Sequence, residues 1–238
     1  MEHKNNNQKA KTILLHACCG PCSLEPVRLL RERGIEPVIF FSNSNIAPKK
    51  EYDLRRDSIK LWCEKNKVEF IEDEYLPKTW VEACKSLIKQ KPHRCRQCYK
   101  IRFERACAYA KENGFECVGT TLTISPYQYA LTIKEELTKA CEKFGIMPFY
   151  EDYSTYYRSA QKRAKEEGLY RQHYCGCLPS KTEAESQQLR QKLLKEKRAK
   201  KREEMLQEKR KAKAEYAEKR AKQKEILKSL RNHAHANK

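Results

Sequence analysis

The chain has 238 residues, 35% of them charged, with 51 Lys+Arg against 32 Asp+Glu and a formal net charge of +19. That length suits one ordinary domain plus an appendage, no apolar run approaches the ~18–20 residues a membrane-crossing helix needs, and the polar stretch Met1 to Lys11 lacks the core of a secretion signal. A cytoplasmic protein with reduced thiols and a polyanionic partner is expected, so the twelve cysteines read as metal or redox chemistry before a disulfide framework.

Thr12-Ile-Leu-Leu-His16 is a short apolar run of the kind that forms a buried strand. Gly20-Pro21 breaks it, and the spacing predicts a helix over Leu24 to Arg33 with Gly34 as its C-cap. A second strand, Glu36 to Phe41, runs into the polar loop Ser42 to Pro48. Lys50 to Lys65 reads as an amphipathic helix, Val68 to Ile71 as a third strand and Thr79 to Lys89 as a helix ended by Pro92. Tyr99 to Glu112 continues as helix and closes at Asn113-Gly114. Glu116 to Gly119 is a fourth strand leading into Thr120 to Thr123, with Ser125-Pro126-Tyr127 as a breaker. A helix over Ile133 to Phe144, a strand over Met147 to Phe149 and a helix over Gln161 to Glu167 follow, and Tyr174 to Pro179 closes the body.

Strands alternating with helices predict an α/β, Rossmann-like three-layer fold with a mostly parallel sheet over residues 1–180. Ligands in such folds sit beyond the carboxyl ends of the strands, where the cysteine-bearing loops are expected to meet. From Lys181 to Lys238 the composition changes to Lys, Arg, Glu, Gln and Ala, with 20 Lys+Arg against 9 Asp+Glu and no sustained a/d seam. Residues 181–238 therefore read as a charged helical or disordered tail and a candidate phosphate-binding arm.

Three segments hold seven of the twelve cysteines: Cys18-Cys19-x-x-Cys22, Cys95-x-x-Cys98 and Cys175-Gly-Cys177. A Cys-x-x-Cys pair at a helix start suits metal ligation, because its sulfurs converge and the helix N-terminus favours thiolate. Seven thiols exceed the four that one tetrahedral zinc takes. Cys18, Cys19, Cys95 and Cys98 would serve an iron–sulfur cluster, leaving Cys22, Cys175 and Cys177 for a second metal or thiol chemistry. The Cys175/Cys177 pair can close into a small, easily reduced ring. A zinc site holding the rim together is the plainer alternative. Cys63, Cys84, Cys107, Cys117 and Cys141 stand alone and read as core packing.

Among other groups, His16 precedes the vicinal pair and fits a hydrogen-bonded strand end better than a proton relay. Asp152 is a candidate acid or hard-metal ligand, weighed against a salt-bridge partner. Tyr127, Tyr129, Tyr153, Tyr156, Tyr157, Tyr170 and Tyr174 fall among Arg158, Arg163 and Arg171. Such aromatic and cationic interleaving grips single-stranded RNA loops.

Four motifs together resemble the epoxyqueuosine reductases of the QueH type: His16-Ala-Cys-Cys-Gly-Pro-Cys-Ser23, Arg94-Cys-x-x-Cys98, Thr120-Thr-Leu-x-Ile-Ser-Pro-Tyr127 and Gly168-Leu-Tyr-Arg-Gln-x-Tyr-Cys-Gly-Cys177. The resemblance covers about residues 10 to 180 and leaves out the tail. It implies an oxidoreductase acting on tRNA, in which the epoxide of the wobble-position epoxyqueuosine becomes the alkene of queuosine. It also implies a [4Fe–4S] cluster with a nearby single iron, no cobalamin, and an electron donor the sequence does not name. On that resemblance Cys18, Cys19, Cys95 and Cys98 hold the cluster, Cys22 is an extra ligand, and Cys175 and Cys177 are redox-active. Two departures stand out: the family's usual histidine is Ala47 here, and an acidic position before the middle cysteines is Leu76. Asp152 then becomes the better candidate carboxylate. The rivals are an iron–sulfur tRNA-thiolating enzyme, whose ATP loop is replaced by Cys-Cys-Gly-Pro-Cys-Ser, and a zinc-stabilised RNA-binding module.

Overall fold

Along β1 (Lys11–His16), Ile13 and Leu15 join one buried cluster and Leu14 the other, so apolar groups leave both faces of the strand. The computed structural model describes residues 11–236. Strands β1, β2 (Ile35–Phe41), β3 (Phe70–Glu72), β4 (Cys117–Thr120) and β5 (Met147–Phe149) form one parallel sheet of order β3-β2-β1-β4-β5. Leu14 pairs in register with Val38 on one side and Val118 on the other. Helices α4 (Lys91–Glu112) and α5 (Ala130–Phe144) cover one face, packing Phe103, Ala106 and Leu137 against Leu14, Phe40 and Val118. Helices α1 (Gly20–Glu32), α2 (Lys49–Lys65) and α6 (Tyr157–Glu166) cover the other, where Leu24, Ile59 and Ala164 meet Ile13, Leu15 and Ile39. This is the expected Rossmann-like α/β arrangement. Its winding reverses between β1 and β4, and the crevice beyond their carboxyl ends is where such sheets bind ligands.

The boundaries differ from expectation where proline is concerned. Pro21 and Pro92 lie in the first turns of α1 and α4 instead of breaking the chain ahead of them. A first-turn residue has no intrahelical partner for its N–H, so proline is tolerated there. Cys22, Cys95 and Cys98 are consequently early helical residues. Helix α3 (Pro77–Cys84) stops short of the predicted Lys89 and passes into a 3₁₀ turn, Lys85–Leu87.

The chain divides into two units, the first ending at Glu183 and the second beginning at Ala184. Helix α7 (Leu178–Ala236) starts in the first, and its residues from 184 onward make the second. Residues 185–226 are exposed, with Glu218–Lys222 an i,i+4 ion pair along the solvated helix. Among the described residues no helix is long and apolar enough to cross a membrane.

Candidate active site

The chain leaves β1 at His16, bonds Ala17 N–H to Phe40 O at 3.0 Å, and turns into α1 at Gly20. Cys18, Cys19 and Cys22 occupy this turn, all buried, with their sulfurs within 4.8 Å of one another. Three convergent thiols at a helix N-terminus can hold a metal ion. Cys18 is held well below the usual thiol range by hydrogen bonds with Cys19 and then Cys22, with Arg102 and Arg55 adding to the effect. Burial, then the hydrogen bond with Cys18, pushes the Cys19 thiol up, and the hydrogen bonds with Cys18 and Cys19 do the same to Cys22.

Helix α4 supplies Cys95, half-buried against the core that holds the first cysteines, and Cys98, buried with Trp80, Cys84 and Cys177. Both thiols are pushed up to about 12, mainly by burial. The charges of Cys175 and Cys177 act on each of them in the same direction. Cys175 is pushed up by burial, opposed by the Gln128 amide and Arg102, and it lies within electrostatic reach of Cys177 and Cys18. Among the described residues only Cys18, Cys19 and Cys22 lie within metal-ligand distance of one another, while Cys95 packs against their core and Cys98 packs with Cys177. All seven cysteines are free thiols.

The Cys175–Cys177 loop is clamped through its backbone. Arg55 donates to Tyr174 O and Cys175 O, both at 2.9 Å, and is itself anchored on Glu51. Ala47 N–H donates to Gly176 O at 2.9 Å, Tyr174 OH to Ala47 O at 2.6 Å, and Gly176 N–H to Ser180 Oγ at 3.2 Å. Ala47, where the resemblance expects histidine, thus serves the loop through its main chain. Two glutamines aim amide N–H groups at sulfur: Gln172 Nε2 at Cys19 (2.9 Å) and Gln128 Nε2 at Cys175 (3.3 Å). Tyr99 OH fixes the second by donating to Gln128 Oε1 at 2.6 Å.

Other candidates fall elsewhere. Asp152 is exposed, and its Oδ1 accepts the Ser154 N–H at 2.9 Å. No hydrogen bond or ion pair ties it to a sulfur among the described residues. Leu76 is exposed at the start of α3, its N–H on Ser44 Oγ. His16 is fully buried, and burial followed by the Arg102 charge lowers its pKa to about 3, so the ring is neutral. Tyr153 is buried, Tyr170 donates to Glu51 and Tyr174 to Ala47, so these rings belong to the scaffold. Tyr127 is 73% exposed, lies edge-on to Tyr157 at 6.2 Å, and precedes the glutamine that touches Cys175.

Arg55, Arg102, Gln128 and Trp80 carry no role in the sequence reading, Gln172 enters it only within the last motif, and Cys84 only as core packing. Only Arg102 carried a usable signal, lying four residues after Cys98 on the same helix face. The donor set fits a thiolate-held metal or iron–sulfur group: clustered thiols, two buried guanidiniums, and the buried Trp80 indole N–H directed at Cys98.

The family model described as Epoxyqueuosine reductase QueH matches residues 13–183. Relatives named Epoxyqueuosine reductase QueH include one from Acinetobacter baylyi, 36% identical over 177 residues, covering 72% of this chain and 81% of the relative. One from Histophilus somni is 35% identical over 175 residues, covering 71% of each chain. One from Thermotoga maritima is 31% identical over 175 residues, covering 70% of this chain and 88% of the relative.

Proposed function

The chain belongs to the epoxyqueuosine reductase QueH family, and on that premise we propose that it reduces the epoxide of epoxyqueuosine in tRNA to the alkene of queuosine, without cobalamin. Cys18, Cys19, Cys95 and Cys98 would hold a [4Fe–4S] cluster, with Cys22 an additional ligand to a nearby iron. When bound, such a cluster supplies single electrons and an open-sited iron supplies Lewis acidity.

The reaction consumes two electrons and two protons: both C–O bonds of the ring break, the C=C bond forms, and oxygen leaves as water. The thiols of Cys175 and Cys177 carry that full complement, since closing to a disulfide releases two electrons and two protons. An external reductant then restores the dithiol. Gln128 orients the Cys175 sulfur and the Arg55 clamp holds the loop against the site. Asp152, whose Oδ1 accepts the Ser154 N–H, would keep its second oxygen for the role of acid or iron ligand.

The anticodon loop is single-stranded, so the modified base reaches the rim without melting a duplex. Tyr127 offers a face for a flanking base, and the basic stretch from Lys181 adds phosphate contacts. A tRNA substrate implies a cytoplasmic site of action. The reading is carried above all by Cys18, Cys19 and Cys22, whose buried sulfurs lie within 4.8 Å of one another just beyond the carboxyl end of β1. Anaerobic incubation of iron-loaded protein with epoxyqueuosine-bearing tRNA and a reductant, followed by nucleoside mass analysis, tests it. Conversion to a nucleoside lighter by one oxygen atom is expected; unchanged epoxyqueuosine refutes it.

A further inference from the structure

Among the described residues three arginines are buried: Arg55, Arg94 and Arg102. Arg55 pairs with Glu51 at 2.7 Å and Arg94 with Glu183 at 2.6 Å. Arg102 is 4% exposed and has no carboxylate within ion-pair distance among the described residues. Its Nε donates to His16 Nε2 at 3.2 Å and its Nη2 to Asn43 Oδ1 at 2.7 Å. Both acceptors are neutral. His16 Nε2 lies 3.2 Å from Arg102 Nε and 3.3 Å from Ser42 O; because a guanidinium only donates, accepting from Arg102 leaves the Ser42 approach without a proton and puts the imidazole proton on Nδ1, 3.1 Å from Thr120 Oγ1. The histidine therefore positions the cation without cancelling it.

Leaving a permanent charge buried and unpaired is costly, so a protein that keeps one supplies an anion. Geometry places Arg102 at the cysteine turn: it follows Cys98 by one turn of α4, and its acceptor Asn43 donates to Ala17 O at 2.8 Å, next to Cys18. Burial acts to lower its pKa, and the groups that oppose this are, in order of effect, Cys98, Cys18 and Cys175. These sulfurs come from all three cysteine segments. We infer that Arg102 is the counter-ion of the sulfur site, and that its fixed positive charge raises the reduction potential of the thiolate-held iron–sulfur group. This rests on the reductase reading above. Reduction makes such a group more negative, and a nearby cation stabilises the reduced form more than the oxidised one. Arg55 differs in kind, since its charge is shared with Glu51 and its donors are spent on the Tyr174 and Cys175 carbonyls.

The test compares iron-loaded full-length wild type, Arg102→Lys and Arg102→Gln by anaerobic reductive titration, followed by absorbance and paramagnetic resonance. At the wild-type midpoint the Gln variant should show an oxidised-to-reduced ratio raised at least about tenfold, a shift of about 59 mV for one electron. The Lys variant keeps the charge and should stay near wild type. Loss of iron loading in the Gln variant with loading preserved in the Lys variant also supports the role, as a charge requirement during assembly. A Gln variant with wild-type potential, or Lys and Gln variants equally unable to load iron, overturns it. Wild-type protein that takes up neither iron nor sulfide overturns the reductase reading itself, and the counter-ion role falls with it.

Discussion

Gly176 lies between the two cysteines of the last segment with φ at +148°, and a methyl group there would meet Asn45 Nδ2 at 2.9 Å and Ile46 Cγ1 at 3.0 Å. Asn45 and Ile46 are buried, and the Tyr75 hydroxyl pins Ile46 O at 2.7 Å, so neither can retreat easily. The backbone conformation costs a non-glycine residue about 1–3 kcal/mol, and overpacking adds about 1–3 kcal/mol. Gly176→Ala should therefore lose about 2–6 kcal/mol if the loop stays in place. If the loop shifts instead, Cys175 and Cys177 move with it and the loss appears in turnover. Gly168 is the control: its φ is +68° but nothing lies within 4 Å of an added Cβ. Gly168→Ala should cost only about 1–2 kcal/mol and leave turnover near wild type. Urea unfolding and single-turnover reduction of tRNA, run on both variants, measure the contrast. A Gly176→Ala protein indistinguishable from Gly168→Ala in both assays would refute the reasoning.

Three further outcomes are expected. Cys175→Ser or Cys177→Ser should abolish turnover while iron content stays near wild type; full activity in either variant ends the dithiol role. Tyr127→Ala should raise KM for tRNA about five- to 150-fold, from about 1–3 kcal/mol of lost stacking, with kcat little changed and Tyr127→Phe nearly normal; an unchanged KM in the Ala variant removes Tyr127 from the grip on RNA. Deleting residues 184–238 should weaken tRNA binding at low salt and flatten the salt dependence of affinity, since phosphate contacts release counterions; an unmoved affinity and slope would show that the tail makes no such contacts.

The fold was legible because its signals are local. The alternation of Ile13, Leu14 and Leu15, all buried, is what a strand covered on both faces requires. The spacing within each cysteine segment likewise marked the sulfurs, since close pairs in a reduced compartment need a chemical reason. Pro21 and Pro92 misled because proline breaks a helix interior but suits its first turn, and only the hydrogen-bond pattern separates the two cases. The groups that tune the site were illegible for another reason. Gln128 and Gln172 reach Cys175 and Cys19 across 47 and 153 residues of chain, distances over which sequence carries no periodicity. Cys84 read as packing until α3 brought it to Cys98 and Cys177. The tyrosine-rich stretches could not be sorted by spacing either, because exposure of Tyr127 and burial of Tyr153 are set by the loops around them.

The most direct test of sulfurs meeting to hold iron is the metal and acid-labile sulfide content of anaerobically prepared wild type and Cys98→Ser. About four iron and four sulfide per wild-type chain are expected for a [4Fe–4S] cluster, with a further iron where the second site fills and a marked loss in the variant. A colourless wild-type protein carrying zinc and no sulfide would contradict the account.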